Sequence, residues 1–126
     1  MADYAPIFSG NQLPFTSTAS ATITGGELVE VSGSGTVAPA SADSTVVVGV
    51  AAHDAASTAR VTVYPLAGVV HELVADEGGV TAGDLVKVGA DSSTVIGLEA
   101  EDELGVRVGI ALTTAAAESK VQVLGR

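Results

Sequence analysis

Cysteine is absent from this chain of 126 residues, which excludes disulfides, thiolate metal sites and thiol nucleophiles together. Tryptophan is absent too, and tyrosine and phenylalanine number two each. A core without large aromatics must be assembled from small and β-branched side chains. Cations are equally scarce: five Lys and Arg face fifteen Asp and Glu, for a net charge of −10. Such a chain repels phosphate backbones, and five scattered cations form no basic track, so nucleic acid is not expected as a partner. No apolar run approaches the ~20 residues of a membrane span, so no membrane partner is expected either. The opening residues MADYAPIFSG lack the charged and apolar regions of a secretory signal. The expectation is a soluble protein made in the cytoplasm.

Alanine and valine fill the space that these absences leave. Apolar residues make up 47% of the chain, with 21 Ala and 20 Val against 9 Leu and 4 Ile. Side chains of this kind favour strands over helix bundles, which lean on Leu, Glu and Lys. A chain this long makes one compact domain that buries roughly two-thirds of its unfolded surface. From Ala21 onward, short β-type segments alternate with Gly, Ser, Asp and Pro. Strands are expected at Glu27–Val31, Val46–Ala51, Arg60–Tyr64, Gly68–Val74, Leu85–Val88, Val106–Ala111 and Lys120–Leu124. The segments at 60–64 and 120–124 alternate polar and apolar residues, as a sheet with one wet face should. The only plausible helical turns are Asp54–Ala59 and Thr113–Ser119, both rich in Ala. The fold class read from this pattern is all-β, a small sandwich or barrel.

An internal repeat supports that reading. Gly26-Glu27-Leu28-Val29-Glu30-Val31 matches Gly83-Asp84-Leu85-Val86-Lys87-Val88, and Val48-Gly49-Val50-Ala51 matches Val108-Gly109-Ile110-Ala111. In each copy an Ala-rich link follows, then Val61-Thr62-Val63 or Val121-Gln122-Val123. The first block is offset by 57 residues and the later ones by 60, so one copy carries a three-residue insertion. Residues 21–126 thus read as a single β-domain of two related halves, about 24–66 and 81–126. Gly49 and Gly109 lie inside apolar strand patterns, where glycine costs stability unless a bulge or a tight corner needs it.

Residues 1–20 differ in kind. They hold Tyr4, Phe8 and Phe15, three of the four aromatics, together with Pro6 and Pro14. Two prolines in nine residues forbid a helix and argue against a central strand. The segment reads as an extended N-terminal arm with Tyr4, Pro6, Ile7, Phe8, Leu13, Pro14 and Phe15 as docking residues. The alternative is a fixed strand that plugs the domain's own core. Burying the three aromatics at about 200 Å² each contributes at most about 15 kcal/mol. Ordering the arm costs about 1–2 kcal/mol per residue, a similar sum, so it should order only with added backbone pairing or multivalent help.

Signals for chemistry are few. A hydrolase triad would have to use His53 or His71, and there is no nucleophile elbow. His71-Glu72 offers two metal ligands where zinc wants three or four. The acidic stretch Glu99-Ala100-Glu101-Asp102-Glu103 has hard oxygens for calcium but not the spacing of a calcium loop, and reads as a solvated turn. No strand–GxGxxG–helix or Walker run is present, so no cofactor, no metal and no enzyme activity are expected.

The order and spacing of these phrases carry a resemblance. Val47-Val48-Gly49-Val50-Ala51 leads through Asp54-Ala55-Ala56 to Val61-Thr62-Val63-Tyr64 and Gly68-Val69-Val70. Val80-Thr81-Ala82-Gly83-Asp84-Leu85-Val86 and Val108-Gly109-Ile110-Ala111-Leu112-Thr113-Thr114-Ala115 follow. Over about residues 20–126 the chain resembles the capsid decoration (cement) proteins of tailed bacteriophages and the DUF2190-like head decoration family. The resemblance implies a β-rich protein, commonly a homotrimer, on the outer surface of the virion, where it binds the major capsid protein and braces neighbouring subunits. A carbohydrate or cell-surface binding module is the competing reading, but only Tyr64 lies outside the arm to serve such a site.

Overall fold

The computed structural model describes residues 3–126. Ten strands form two closed five-stranded barrels in series. Barrel 1 contains β1 (Phe15–Ala19), β2 (Leu28–Gly33), β3 (Thr36–Pro39), β4 (Val47–Ala51) and β5 (Arg60–Pro65). Barrel 2 contains β6 (Val70–Ala75), β7 (Leu85–Val88), β8 (Thr94–Gly97), β9 (Gly109–Ala111) and β10 (Lys120–Gly125). The only helical element among the described residues is a 3-10 turn at Leu104–Val106. The fold is all-β, and the sandwich-or-barrel alternative resolves as barrels.

Both barrels close in the same way. The first strand pairs in parallel with the third and antiparallel with the fifth, and the second lies between the third and fourth. β6 through β10 repeat each of these pairings. Equivalent positions follow from the registers. Phe15 opposite Val63 matches His71 opposite Val123, and Thr18 opposite Thr36 matches Val74 opposite Thr94.

The interiors match residue for residue. Barrel 1 encloses Ala19, Ile23, Val29, Val37, Ala51, Ala55, Val61 and Val63. Barrel 2 encloses Ala75, Val80, Val86, Val95, Ala111, Ala115, Val121 and Val123. Five strands leave a bore narrower than the eight-stranded one that side chains just fill. Ala and Val fit it, and that is the physical reason for the composition. Gly49 and Gly109 mark where the wall is tightest: a Cβ there would stand 2.2 Å from the Tyr64 carbonyl oxygen and 2.3 Å from that of Leu124.

The sequence expectations differ from this in three places. Each barrel begins one strand earlier than the halves starting near 24 and 81. The strand at Phe15–Ala19 takes the last part of the segment read as an arm, and the extended run outside the barrels is Asp3–Pro14. The Ala-rich links at 54–59 and 113–119 form no helix. They are tight turns with Thr58 and Glu118 in the left-handed region, at φ 75° and 60°, tied down by the bridges Ile23–Ala55 and Val80–Ala115. Strand 106–111 is shortened because Leu104–Val106 coils into the 3-10 turn.

The barrels dock end against side. Leu28, Ala40, Val50 and Leu66 on the outside of barrel 1 belong to one buried apolar cluster with the interior of barrel 2. Leu28 N–H donates to the Ser92 carbonyl at 2.8 Å, and Ser92 Oγ bonds the Glu27 carboxylate. Lys87 of β7 binds Asp43 of barrel 1 at 2.7 Å and Asp102 of its own barrel at 2.9 Å. These two carboxylates, Asp43 foremost, hold its ammonium above the usual lysine range.

Candidate functional site

The segment Asp3–Pro14 crosses the junction between the barrels. Asp3 bridges His53, and Tyr4 N–H donates to the Ala52 carbonyl at 2.8 Å, both in barrel 1. Farther on, Val70 N–H donates to the Phe8 carbonyl at 2.8 Å, and the Ile7 and Phe8 N–H groups share the Val70 carbonyl at 2.9 and 3.3 Å, on barrel 2. These backbone bonds fasten the segment to both barrels. A turn at Ser9–Gln12, with Gly10 at φ 57°, then redirects the chain toward β1.

Tyr4 is the arm's anchor. Its ring meets Tyr64 of β5 edge-on at 6.2 Å and stacks on His71 of β6 at 5.8 Å. His71 is fully buried. Its Nε2–H donates to the Pro65 carbonyl at 2.8 Å, and its Nδ1 accepts from the Tyr4 hydroxyl at 2.7 Å. That hydroxyl accepts in turn from the Glu72 N–H at 3.2 Å. The network assigns a neutral imidazole protonated at Nε2. Burial holds His71 below the ordinary histidine value and pushes the Tyr4 hydroxyl above the usual tyrosine range.

The seven arm residues therefore divide. Tyr4 and Pro6 are half-buried, with Tyr4 turned inward. Ile7, Phe8 and Leu13 are 50%, 62% and 82% exposed, and Pro14 and Phe15 also face outward. Ile7 and Phe8 ride on the stretch pinned to Val70, whereas Leu13 and Phe15 stand at the entrance to barrel 1. Val31, Val46, Leu104 and Leu112 are further exposed apolar residues that the arm-centred reading missed. The sequence carries no signal for Val31 and Val46, because their counterparts Val88 and Val106 are the same residue and are buried.

The two histidines do structural work. His53 Nδ1–H donates to the Asp54 carbonyl at 2.9 Å, and its Nε2 accepts from the Thr62 N–H at 3.2 Å. In the second copy, the Thr113 hydroxyl accepts from the Gln122 N–H at 3.0 Å, in the same place. Likewise Asp54 and Thr114 accept from the equivalent N–H groups of Gly25 and Ala82. In the acidic stretch, Asp102 turns back to the Glu99 N–H at 2.8 Å and to Lys87. Among the described residues no three His, Asp or Glu side chains converge to hold a metal. Among the same residues no helix is long and apolar enough to cross a membrane.

The phage cement protein family matches residues 7–126. Among solved structures, the chain is similar to the head fiber gp8.5 N base of bacteriophage phi29, with a TM-score of 0.66 and 18% identity over 90% of this chain and 93% of that one. That likeness reflects a shared fold. No curated protein matches the chain. With the family match running from the middle of the arm through the last strand of barrel 2, this chain belongs to the phage cement proteins, and its role is decoration of the phage capsid.

Proposed function

We propose that the protein is made in the host cytoplasm and binds the outer surface of a tailed-phage head as a homotrimer, bracing neighbouring major capsid subunits. The observation that carries this reading is the pair Ile7 and Phe8, half or more exposed on a backbone already fastened at Tyr4 and Val70. A pre-fastened apolar segment pays little further ordering entropy when it docks. Burying one such side chain contributes about 1.5–3 kcal/mol, and three copies of the arm multiply the effect through effective concentration. Pro6 and Pro14 fix extended backbone at both ends of the docking stretch. Binding alone performs this role, and both ring nitrogens of His53 and of His71 are already engaged.

The test is co-sedimentation with undecorated capsids. Phe8→Asp and Ile7→Asp alter side chains that project from the surface, so they leave both barrels intact. The expected result is binding weakened at least about tenfold, the equivalent of about 1.4 kcal/mol, with thermal unfolding unchanged. Wild-type binding by both variants would remove the arm from the capsid contact.

A further inference from the structure

The two barrels are alike inside and unlike at one end. At the mouth of barrel 2, Val69, His71, Leu73, Val88, Val106 and Val108 are each at most 7% exposed. The matching positions of barrel 1 are Leu13, Phe15, Ser17, Val31, Val46 and Val48. Four of these, Leu13, Phe15, Val31 and Val46, are between 40% and 82% exposed. Ser17 and Val48 are only half-buried. Half of the eight exposed large apolar side chains among the described residues thus ring one opening, a concentration that scattered surface residues do not show.

What closes the mouth of barrel 2 is visible within the chain. It is the outer face of barrel 1, through Leu28, Ala40, Val47, Val50 and Leu66, together with Tyr4 on His71. Barrel 2 has the same face. Leu85 stands where barrel 1 has Leu28, Leu98 where it has Ala40 and Ile110 where it has Val50; Arg126 takes the place of Leu66, and Leu124, beside it, that of Tyr64. All four apolar residues remain half-exposed. Among the described residues, one copy therefore has an uncovered mouth and an uncovered face, and the chain itself shows how such a mouth and such a face fit together.

We propose that the open mouth of barrel 1 receives the outer face of barrel 2 from a second copy of the chain, repeating between copies the contact that joins the barrels within one. The charges at the two contacts support this pairing. Within the chain, Lys87 beside the mouth of barrel 2 binds Asp43 beside the face of barrel 1. At the mouth of barrel 1 the residue equivalent to Lys87 is Glu30. On the face of barrel 2, Arg107 and Arg126 replace Val47 and Leu66. The cation beside the mouth becomes an anion and two apolar positions of the face become cations, so charges of opposite sign are again available to the two surfaces. Two of only five cations in the chain are placed there. A mouth-to-face contact is heterologous, and it closes into a ring when the rotation permits. Closure after three copies gives the homotrimer. The inference rests on the proposed function only for that number and needs no capsid.

Complementation tests it. Val46→Asp places a carboxylate in the mouth, and Ile110→Asp places one on the face. Both change side chains that already meet solvent, and circular dichroism with thermal unfolding checks the fold. Leu98→Glu serves as a second face variant if Ile110→Asp unfolds. Masses are measured on the full chain by light scattering and sedimentation. The wild type is expected to be an oligomer and each variant a monomer. A mixture of one mouth variant and one face variant is expected to form a 1:1 dimer and nothing larger, since a single intact mouth meets a single intact face. A monomeric wild type, variants that keep the wild-type mass, or a mixture that stays monomeric would each overturn the proposal. Capsid co-sedimentation of the wild type reports separately on the reading above: assembly without capsid binding sinks that reading and leaves this one.

Discussion

Replacing Tyr4 with Phe removes one oxygen and leaves two groups at the barrel junction without a partner. His71 Nδ1 loses its 2.7 Å donor, and the Glu72 N–H loses its 3.2 Å acceptor. An unsatisfied buried polar group costs about 1–3 kcal/mol. His71 is fully buried, whereas Tyr4 keeps some access to water that can reach the vacated site. About 2 kcal/mol is therefore expected, a large share of the ~5–15 kcal/mol that holds a domain folded. For a chain of this length that lowers the melting temperature by roughly 6–10 °C. Calorimetry and urea titration should agree on the loss. The same network has a pH signature. Burial lowers the folded value of His71 below that of the unfolded chain, near 6.5. Its contribution is complete above that unfolded value and is lost as pH falls from about 6.5 toward the depressed folded value, by up to ~1.4 kcal/mol per pH unit. His71→Phe installs the aromatic that barrel 1 has at the matching Phe15 and removes the titration. The stability difference between wild type and His71→Phe should shrink as pH drops through that window. A pH-independent difference, or a Tyr4→Phe variant as stable as wild type, would refute the network.

Gly49→Ala and Gly109→Ala each drive a Cβ to within 2.3 Å of a carbonyl oxygen on the next strand. Each should cost about 1–3 kcal/mol or more in urea unfolding, and an unchanged midpoint would show that the barrel wall gives. Gly125→Ala sets a Cβ 1.8 Å from the Leu66 carbonyl oxygen, so it should loosen the link between barrels and speed proteolysis at the exposed Ala67-Gly68. Wild-type resistance would contradict that crossing. Lys87→Met strands Asp43 and Asp102 in a chain of net charge −10. Its melting temperature should fall at low ionic strength and recover toward wild type in high salt, whereas a salt-independent effect would point to packing.

Much of barrel construction was readable in local words. The Gly-acid-Leu-Val-x-Val phrase marks β2 and β7, and the inner glycines mark β4 and β9, because each phrase meets the same steric demand twice. β3 and β8 escaped notice. Thr36–Pro39 and Thr94–Gly97 each bury a single residue, Val37 or Val95, which is too little for a pattern. β1 does not stand out from the preceding segment in sequence, because FTSTA shares only its closing Ala with VHELVA of β6. Closure itself rests on two-residue parallel pairings, such as Thr18 with Thr36, that no local signal announces. On the arm, proline spacing identified an extended segment but said nothing about direction. Tyr4 turns inward because His71, sixty-seven residues away, offers a buried nitrogen. The unequal mouths were not legible in the sequence, because Val31 and Val88, and Val46 and Val106, are identical letters whose surroundings differ.

Capsid decoration itself is tested most directly by electron cryomicroscopy of undecorated heads before and after adding the protein. The difference density should show paired barrels on the outer shell, with the Ile7–Phe8 edge against the major capsid subunits. Shells without added density after saturation, or density confined to the interior, would contradict the account.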